Sequence, residues 1–158
     1  MTTKNSDLVA NFEATYTMSD AGLLTGTTRI AQGTVELAAG DSTDNDIVML
    51  APIPTNARIS SLKIGTDTFG SSATFNVGLY TSAGVVKDED CFASSVADAA
   101  AMTDVRFEAA DISTCGQEVY TIAGDSTDPG GHYYVAATFN ATGGTAGTMS
   151  FIIEYVIN

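Results

Sequence analysis

The chain has no tryptophan, one histidine, two cysteines and only six lysines and arginines among its 158 residues. Each shortage removes a class of function. The six cations stand against 19 acidic residues, for a formal charge of -13. Proteins that grip phosphate backbones do so by displacing counterions with clustered Lys and Arg. Here Lys4, Arg29, Arg58, Lys63, Lys87 and Arg106 are scattered along the chain. Nucleic acid is therefore excluded as a direct partner, and anionic lipid headgroups are excluded on the same electrostatic ground. Cys91 and Cys115 are too few for a disulfide framework and lack zinc-site spacing, so they read as buried free thiols. No apolar run approaches the length that spans a bilayer, and the first residues lack the layout of a secretion signal. The missing tryptophan weakens a sugar-binding platform, although tyrosine can take that role.

A search for catalytic chemistry ends in the same way. His132 follows Gly130 and Gly131 at the start of a predicted strand, and reads as a surface or edge residue. No serine lies in a Gly-x-Ser-x-Gly elbow, neither cysteine has protease-like surroundings, and phosphate-cradling glycine motifs are absent. Nineteen carboxylates offer many conceivable acid–base pairs, and the sequence nominates none. The expectation is a non-enzyme with no cofactor.

What the chain has is the composition of a folded protein: 44% hydrophobic and only 16% charged residues, where a disordered chain would reverse the balance. Most of it reads as short strands between Gly, Ser and Asp turns. Thr34-Val35-Glu36-Leu37 alternates polar and apolar. Ile47-Val48-Met49-Leu50 is apolar on both faces and should be covered on both, before Pro52 and Pro54 break the ladder. A strand resumes from Arg58 to Ile64, with Leu62 and Ile64 on one face and Ile59 on the other. Phe75, Val77 and Leu79 share a face, as do Tyr133, Val135, Ala137 and Phe139. In the last strand Phe151, Ile153, Tyr155 and Ile157 face one way, with Ile152 and Val156 opposite, so it should lie centrally or be covered by another subunit. Val119 to Ala123 also reads as a strand. Residues 140–147 form a glycine-rich hairpin loop.

Two regions depart from this pattern. Around residues 88–117, Phe92, Val96 and Ala99 recur at helical spacing, and Asp88 or Asp90 stands where a helix cap would be, which points to a short helical or loop insertion. The acidic run Asp88-Glu89-Asp90 reads as solvated loop. Residues 1–28 are polar, with isolated apolar residues at Leu8, Val9, Phe12, Tyr16, Leu23 and Leu24 and no sustained period. They read either as an extended arm whose apolar residues contact another protein or as a disordered or self-packed terminus, ahead of a domain over residues 29–158.

The string Gly-Asp-Ser-Thr-Asp occurs twice, at 40–44 and 124–128. Glycine supplies a backbone conformation that other residues avoid, and Asp and Ser bond their own backbone, so both copies read as turns. Asp41, Asp44 and Asp46 place three carboxylates within six residues, which suits a calcium ion; the regular alternate-position ligands and bidentate Glu of a calcium loop are missing. Seven or eight short strands with little helix make an all-β protein, a β-sandwich. The jelly roll is the version that accommodates a long mid-chain crossover.

The segments 38–42, 50–59, 75–84 and 88–96, together with 123–133, 144–148 and 154–156, resemble small decoration (cement) proteins of tailed-bacteriophage heads. The resemblance covers about residues 29–157 and rests on turn-and-strand patterns. It implies a jelly-roll-like subunit on the outer surface of the virion, made in the host cytoplasm. Its implied partners are the major capsid protein and other copies of itself, as a homotrimer or a dimer. It implies no catalytic residues. A carbohydrate- or receptor-binding β-sandwich of a phage tail or fibre is the competing reading, which a row of exposed aromatics would mark. A small hydrolase, marked by carboxylates converging in a pocket, is the third.

Overall fold

The computed structural model describes residues 26–70, 73–98, 100–107 and 111–157. They form eight strands: β1 (Thr28–Leu37), β2 (Ile47–Pro54), β3 (Ala57–Thr66), β4 (Thr74–Tyr80), β5 (Val86–Ala97), β6 (Thr103–Asp104), β7 (His132–Ala141) and β8 (Gly147–Ile157). A single turn of α-helix, α1 (Val119–Ile122), and a 3-10 turn at Ile112–Thr114 are the helical elements described. The strands make two four-stranded sheets, ordered β1-β8-β3-β6 (sheet A) and β2-β7-β4-β5 (sheet B). Every pairing is antiparallel. The chain crosses between sheets at each of its first three connections, and this order of eight strands is the jelly roll.

Period-two alternation builds the core between the sheets. Phe75, Val77 and Leu79 of β4 meet Val135, Ala137 and Phe139 of β7 from one side, and Met149, Phe151 and Ile153 of β8 close it from the other. Phe139 is its aromatic centre, edge-on to Phe69 at 5.4 Å and to Phe75 at 6.0 Å. As expected, β8 is central, held between β1 and β3. In β3 a bulge between Ile59 and Ser61 shifts the register by one residue. Ile59 therefore joins Leu62 and Ile64 in the core rather than facing away from them.

Four local expectations are corrected. Pro52 and Pro54 do not end their strand, because β2 is the edge of sheet B and pairs only with β7. A proline whose missing donor would face outward costs an edge strand nothing. For the same reason β2 is not covered on both faces: Val48 is buried while Ile47 is 43% exposed. Residues 86–97 are strand rather than helix, and among the described residues from 98 to 118 the regular elements are the two-residue β6 and the 3-10 turn. The helical spacing of Phe92 and Val96 came from bulges: three register shifts against β4, with Ser95 at φ +54°, break the period of two. Finally, Val119 to Ile122 coil into α1. Val119 and Ile122 bury the same side of that turn, and Gly124, at φ +83°, ends it by donating to Thr121 O at 3.1 Å.

The insertion is anchored by Arg106, which is fully buried. Its guanidinium lies 4.9 Å from the Phe92 ring and 4.3 Å from that of Phe107. It donates to Ile59 O, to Thr114 Oγ1 and to Thr114 O at 3.3, 3.0 and 3.3 Å. In the sequence Arg106 stands only as one of six scattered cations. It is instead the pin that fixes the 3-10 turn to β3.

Candidate interaction surface

Each sheet has one face in the core and one turned outward, and the two outer faces differ in chemistry. On sheet A the outward positions of β1 and β8 are matched polar pairs. Thr34 Oγ1 lies 3.1 Å from Ser150 Oγ, and Thr148 Oγ1 donates to the Glu36 carboxylate at 3.1 Å. On β3, Lys63 stands opposite Ile152 and pairs with Glu154 at 3.7 Å. Arg58 stands opposite Val156, donates to Gly116 O at 2.6 Å and pairs with Glu118 at 3.4 Å. The aliphatic stems of these two cations lie beside the only half-buried apolar residues of β8 that face outward. Ile30, 60% exposed, and Met102, 42% exposed and lying over Gly65 of β3, are the large apolar residues prominent on this face among the described residues.

Sheet B presents the opposite. Following the register across its strands, Pro52, Tyr134, Tyr80 and Val86 form one row, and Met49, Ala136 and Gly78 the next. Ile47 faces Thr138 beyond them. Ile47, Pro52 and Val86 are exposed, and Met49, Pro54 and Tyr134 are half-buried. Under this surface lies Tyr80, 1% exposed, whose hydroxyl bonds that of Thr138. Thr138 pairs with Asn76, four residues from Tyr80 on the same strand, so the Tyr80 ring runs along the sheet past Gly78. Burial holds the Tyr80 phenol above its ordinary pKa, and it stays protonated at neutral pH.

Gly78 is required there. A Cβ at this position would sit 2.1 Å from Asp88 O and 2.3 Å from Glu89 O, because the bulged stretch of β5 folds directly over it. This corrects the reading of Asp88, Glu89 and Asp90 as loop: they form a ridge within β5 beside the apolar rows, with Glu89 and Asp90 solvent-exposed as expected and Asp88 half-buried. Glu89 accepts from Asn76 Nδ2 at 2.9 Å, which places it on the outer face. Burial, with Asp90 and Asp111 nearby, raises the Asp88 pKa. Beyond the ridge a polar cluster finishes the face: Asn140 donates to Asn76 at 2.8 Å and to Ser95 at 3.3 Å.

The two Gly-Asp-Ser-Thr-Asp copies are turns with separate duties. In the first, Asp41 accepts from Ala38 N at 2.9 Å, and Asp46 accepts from Thr43 N and Thr43 Oγ1 at 2.7 and 2.5 Å. Those bonds hold the Asp46 carboxyl below its usual pKa. Buried Ser42 receives Gly143 N on its carbonyl at 2.8 Å, which pins the glycine-rich β7–β8 hairpin. In the second copy Asp125 pairs with Lys87 at 2.8 Å and accepts the Tyr133 hydroxyl, while Asp128 accepts from Thr55 Oγ1 at 2.5 Å. Lys87 and Tyr133 together depress the Asp125 pKa, and Asp125 raises that of Lys87. Among the described residues no group of three or more His, Cys, Asp or Glu could hold a metal ion. A cleft of about 310 Å³ opens between β1 and β2, lined by Val35, Leu37, Ile47 and Met49. Its two carboxylates, Asp41 and Asp46, are the ones already bonded within their own turn.

Of the residues singled out from sequence, Leu8, Val9, Phe12, Tyr16, Leu23 and Leu24 lie outside the described residues. Cys91 is buried, and burial pushes its thiol pKa well up; Cys115, expected to be buried, is exposed just after the 3-10 turn. His132 is exposed at the start of β7, as expected. The sheet B face was missed. Its signal was present in Ile47 and Met49, apolar on the non-core side, but the strand was expected to be covered on both faces.

No family model matches the sequence, and no curated protein matches it. The fold does have counterparts. A chain of the cyanophage Pam1 capsid asymmetric unit superposes over 100% of this chain and 100% of its own length, with a TM-score of 0.57 and 16% identity. A chain of the capsid of Ralstonia phage GP4 superposes over 89% of this chain and 91% of its own, with a TM-score of 0.58 and 14% identity. The jelly-roll sandwich of this protein is thus a fold present in two phage capsids.

Proposed function

We propose that this protein is a non-enzymatic structural component of a tailed-phage virion, acting as a decoration protein on the outside of the capsid. The observation that carries this reading is the end-to-end match of fold with a chain of the Pam1 capsid. The strongly acidic, nucleic-acid-repelling composition supports a place outside the shell rather than against packaged genome. In this role it binds the major capsid protein across subunit junctions, as a homotrimer or a dimer. It stabilises the assembled shell because it binds that state and not the separated subunits. The apolar residues Leu8, Val9, Phe12, Tyr16, Leu23 and Leu24 of the arm add contacts to a neighbouring subunit.

The test is to incubate purified protein with heads that lack it, sediment them, and heat the shells. Co-sedimentation with a raised shell-melting temperature is the expected result. A folded protein that stays in the supernatant overturns the decoration role and turns attention to glycan binding. Deleting residues 1–28 should weaken head binding; unchanged binding removes the arm from the mechanism.

A further inference from the structure

We infer that the outer face of sheet B, centred on Ile47, Pro52, Tyr134 and Val86, is the surface that docks on the shell, against an apolar protein patch edged by lysine or arginine. The inference rests on the decoration role and names the contact that serves it.

Three observations carry it. First, apolar residues of this face are neighbours in the register: Pro52 pairs with Tyr134, Met49 and Ile47 continue along β2, and Val86 lies on the far side of buried Tyr80. Ile47 is 43% and Val86 50% exposed. Scattered exposed aliphatics need no explanation, whereas a joined apolar surface with a polar margin marks an interaction site. Second, the surface is firmly built. The Tyr80–Thr138 bond lies under it and the β5 ridge is locked over Gly78, so docking orders little that is not already ordered.

Third, the charge around it has one sign. Glu89 and Asp90 stand exposed on the ridge, and among the described residues no lysine or arginine faces outward from sheet B. Arg29, Arg58 and Lys63 belong to strands of sheet A, Lys87 is paired with Asp125, and Arg106 is buried. Two copies meeting through this face would bring their acidic ridges together, which the overall charge of -13 makes worse. The margin therefore selects a basic partner over a second copy.

The experiment uses the full chain and heads that lack it. An Ile47→Asp/Pro52→Asp/Val86→Asp variant changes only exposed positions, and its melting curve and circular dichroism establish that it is folded. It should bind heads at least about thirty-fold more weakly, the loss expected when the anchors of an interface are removed. Ile30→Asp, on the outer face of sheet A, should bind as the parent does. Glu89→Lys/Asp90→Lys should weaken binding about ten-fold at low salt and less at high salt. A folded triple variant that binds heads normally overturns the inference and leaves the decoration role standing. So does a triple variant that changes the oligomeric state by sedimentation while still binding heads, because the face would then join copies of this chain. Failure of the parent protein to bind heads overturns both.

Discussion

The two outer faces of the sandwich cover a common core, yet they solve exposure in opposite ways. Sheet A lays the stems of Lys63 and Arg58 beside Ile152 and Val156, pairs its hydroxyls across strands, and leaves Ile30 and Met102 open as separate apolar residues. Sheet B leaves Ile47, Pro52, Tyr134 and Val86 open, and uses its own β5 bulge to bury a tyrosine and a glycine beneath a ridge of carboxylates. A surface built to meet only water has no reason to fix Tyr80 so firmly. The difference shows that outward position on a sheet does not define chemistry; the neighbours that fold over it do.

The comparison can be broken by placing the same substitution on each face. Gly78→Ala drives a methyl into the backbone carbonyls of Asp88 and Glu89, and neither can move without unmaking the bulge. It should cost about 3 kcal/mol or more in urea unfolding. Gly65→Ala on sheet A meets chiefly the flexible Met102 Sδ at 2.8 Å, with its backbone N at 3.2 Å, and should cost about 1 kcal/mol. Equal costs would remove the distinction drawn between the faces.

A smaller contrast follows from the hydroxyls. Tyr80→Phe leaves Thr138 buried without its partner and should lose about 1–2 kcal/mol. Thr34→Val removes an exposed cross-strand bond on sheet A and should change stability by less than about 0.5 kcal/mol.

The Lys87–Asp125–Tyr133 clip at the margin of sheet B adds a dependence on pH. The folded-state pKa of Asp125 is depressed, so its stabilisation is present above the unfolded carboxylate pKa of about 3.9 and lost as pH falls through the lower folded value. Asp88, whose pKa is raised, loses stabilisation with rising pH over part of the same acid range. The two are separated by difference: Asp125→Asn should unfold with a shallower acid limb than the parent and keep the Asp88 contribution. Lys87 and Tyr133, both raised, hold their contributions below pH of about 10 and lose them above it. The smallest effect belongs to sheet A, where Lys63→Ala breaks a pair with Glu154 at partly exposed positions. It should shift stability by no more than about 0.5 kcal/mol, checked by the same unfolding curves.

Much of this architecture was legible in the sequence. The alternations in β1, β4, β7 and β8 each placed the correct residues inward, and the repeated turns and the hairpin loop fell where expected. What escaped was set by tertiary packing. The bulges of β3 and β5 shift alternation by amounts that no local pattern records, and α1 depends on Gly124 and on Tyr120 N reaching Thr55 O at 2.9 Å. Arg106 escaped because a buried guanidinium between two rings looks, in sequence, like any surface cation. The docking face was half legible: the apolar residues of β2 were seen, but their exposure follows from β2 being an edge, which is a property of strand order.

That strand order also decides how the molecule meets other backbones. Four strands border the two sheets, and three are unfit to template a further strand: β2 carries two prolines, β5 is bulged, and β6 has two residues. β1 is different. It runs for ten residues in unbroken register with β8, and among the described residues nothing pairs with its other side. Its free amides and carbonyls make it the strand along which another segment would add, and the place where concentrated, unassembled protein would first begin to stick to itself.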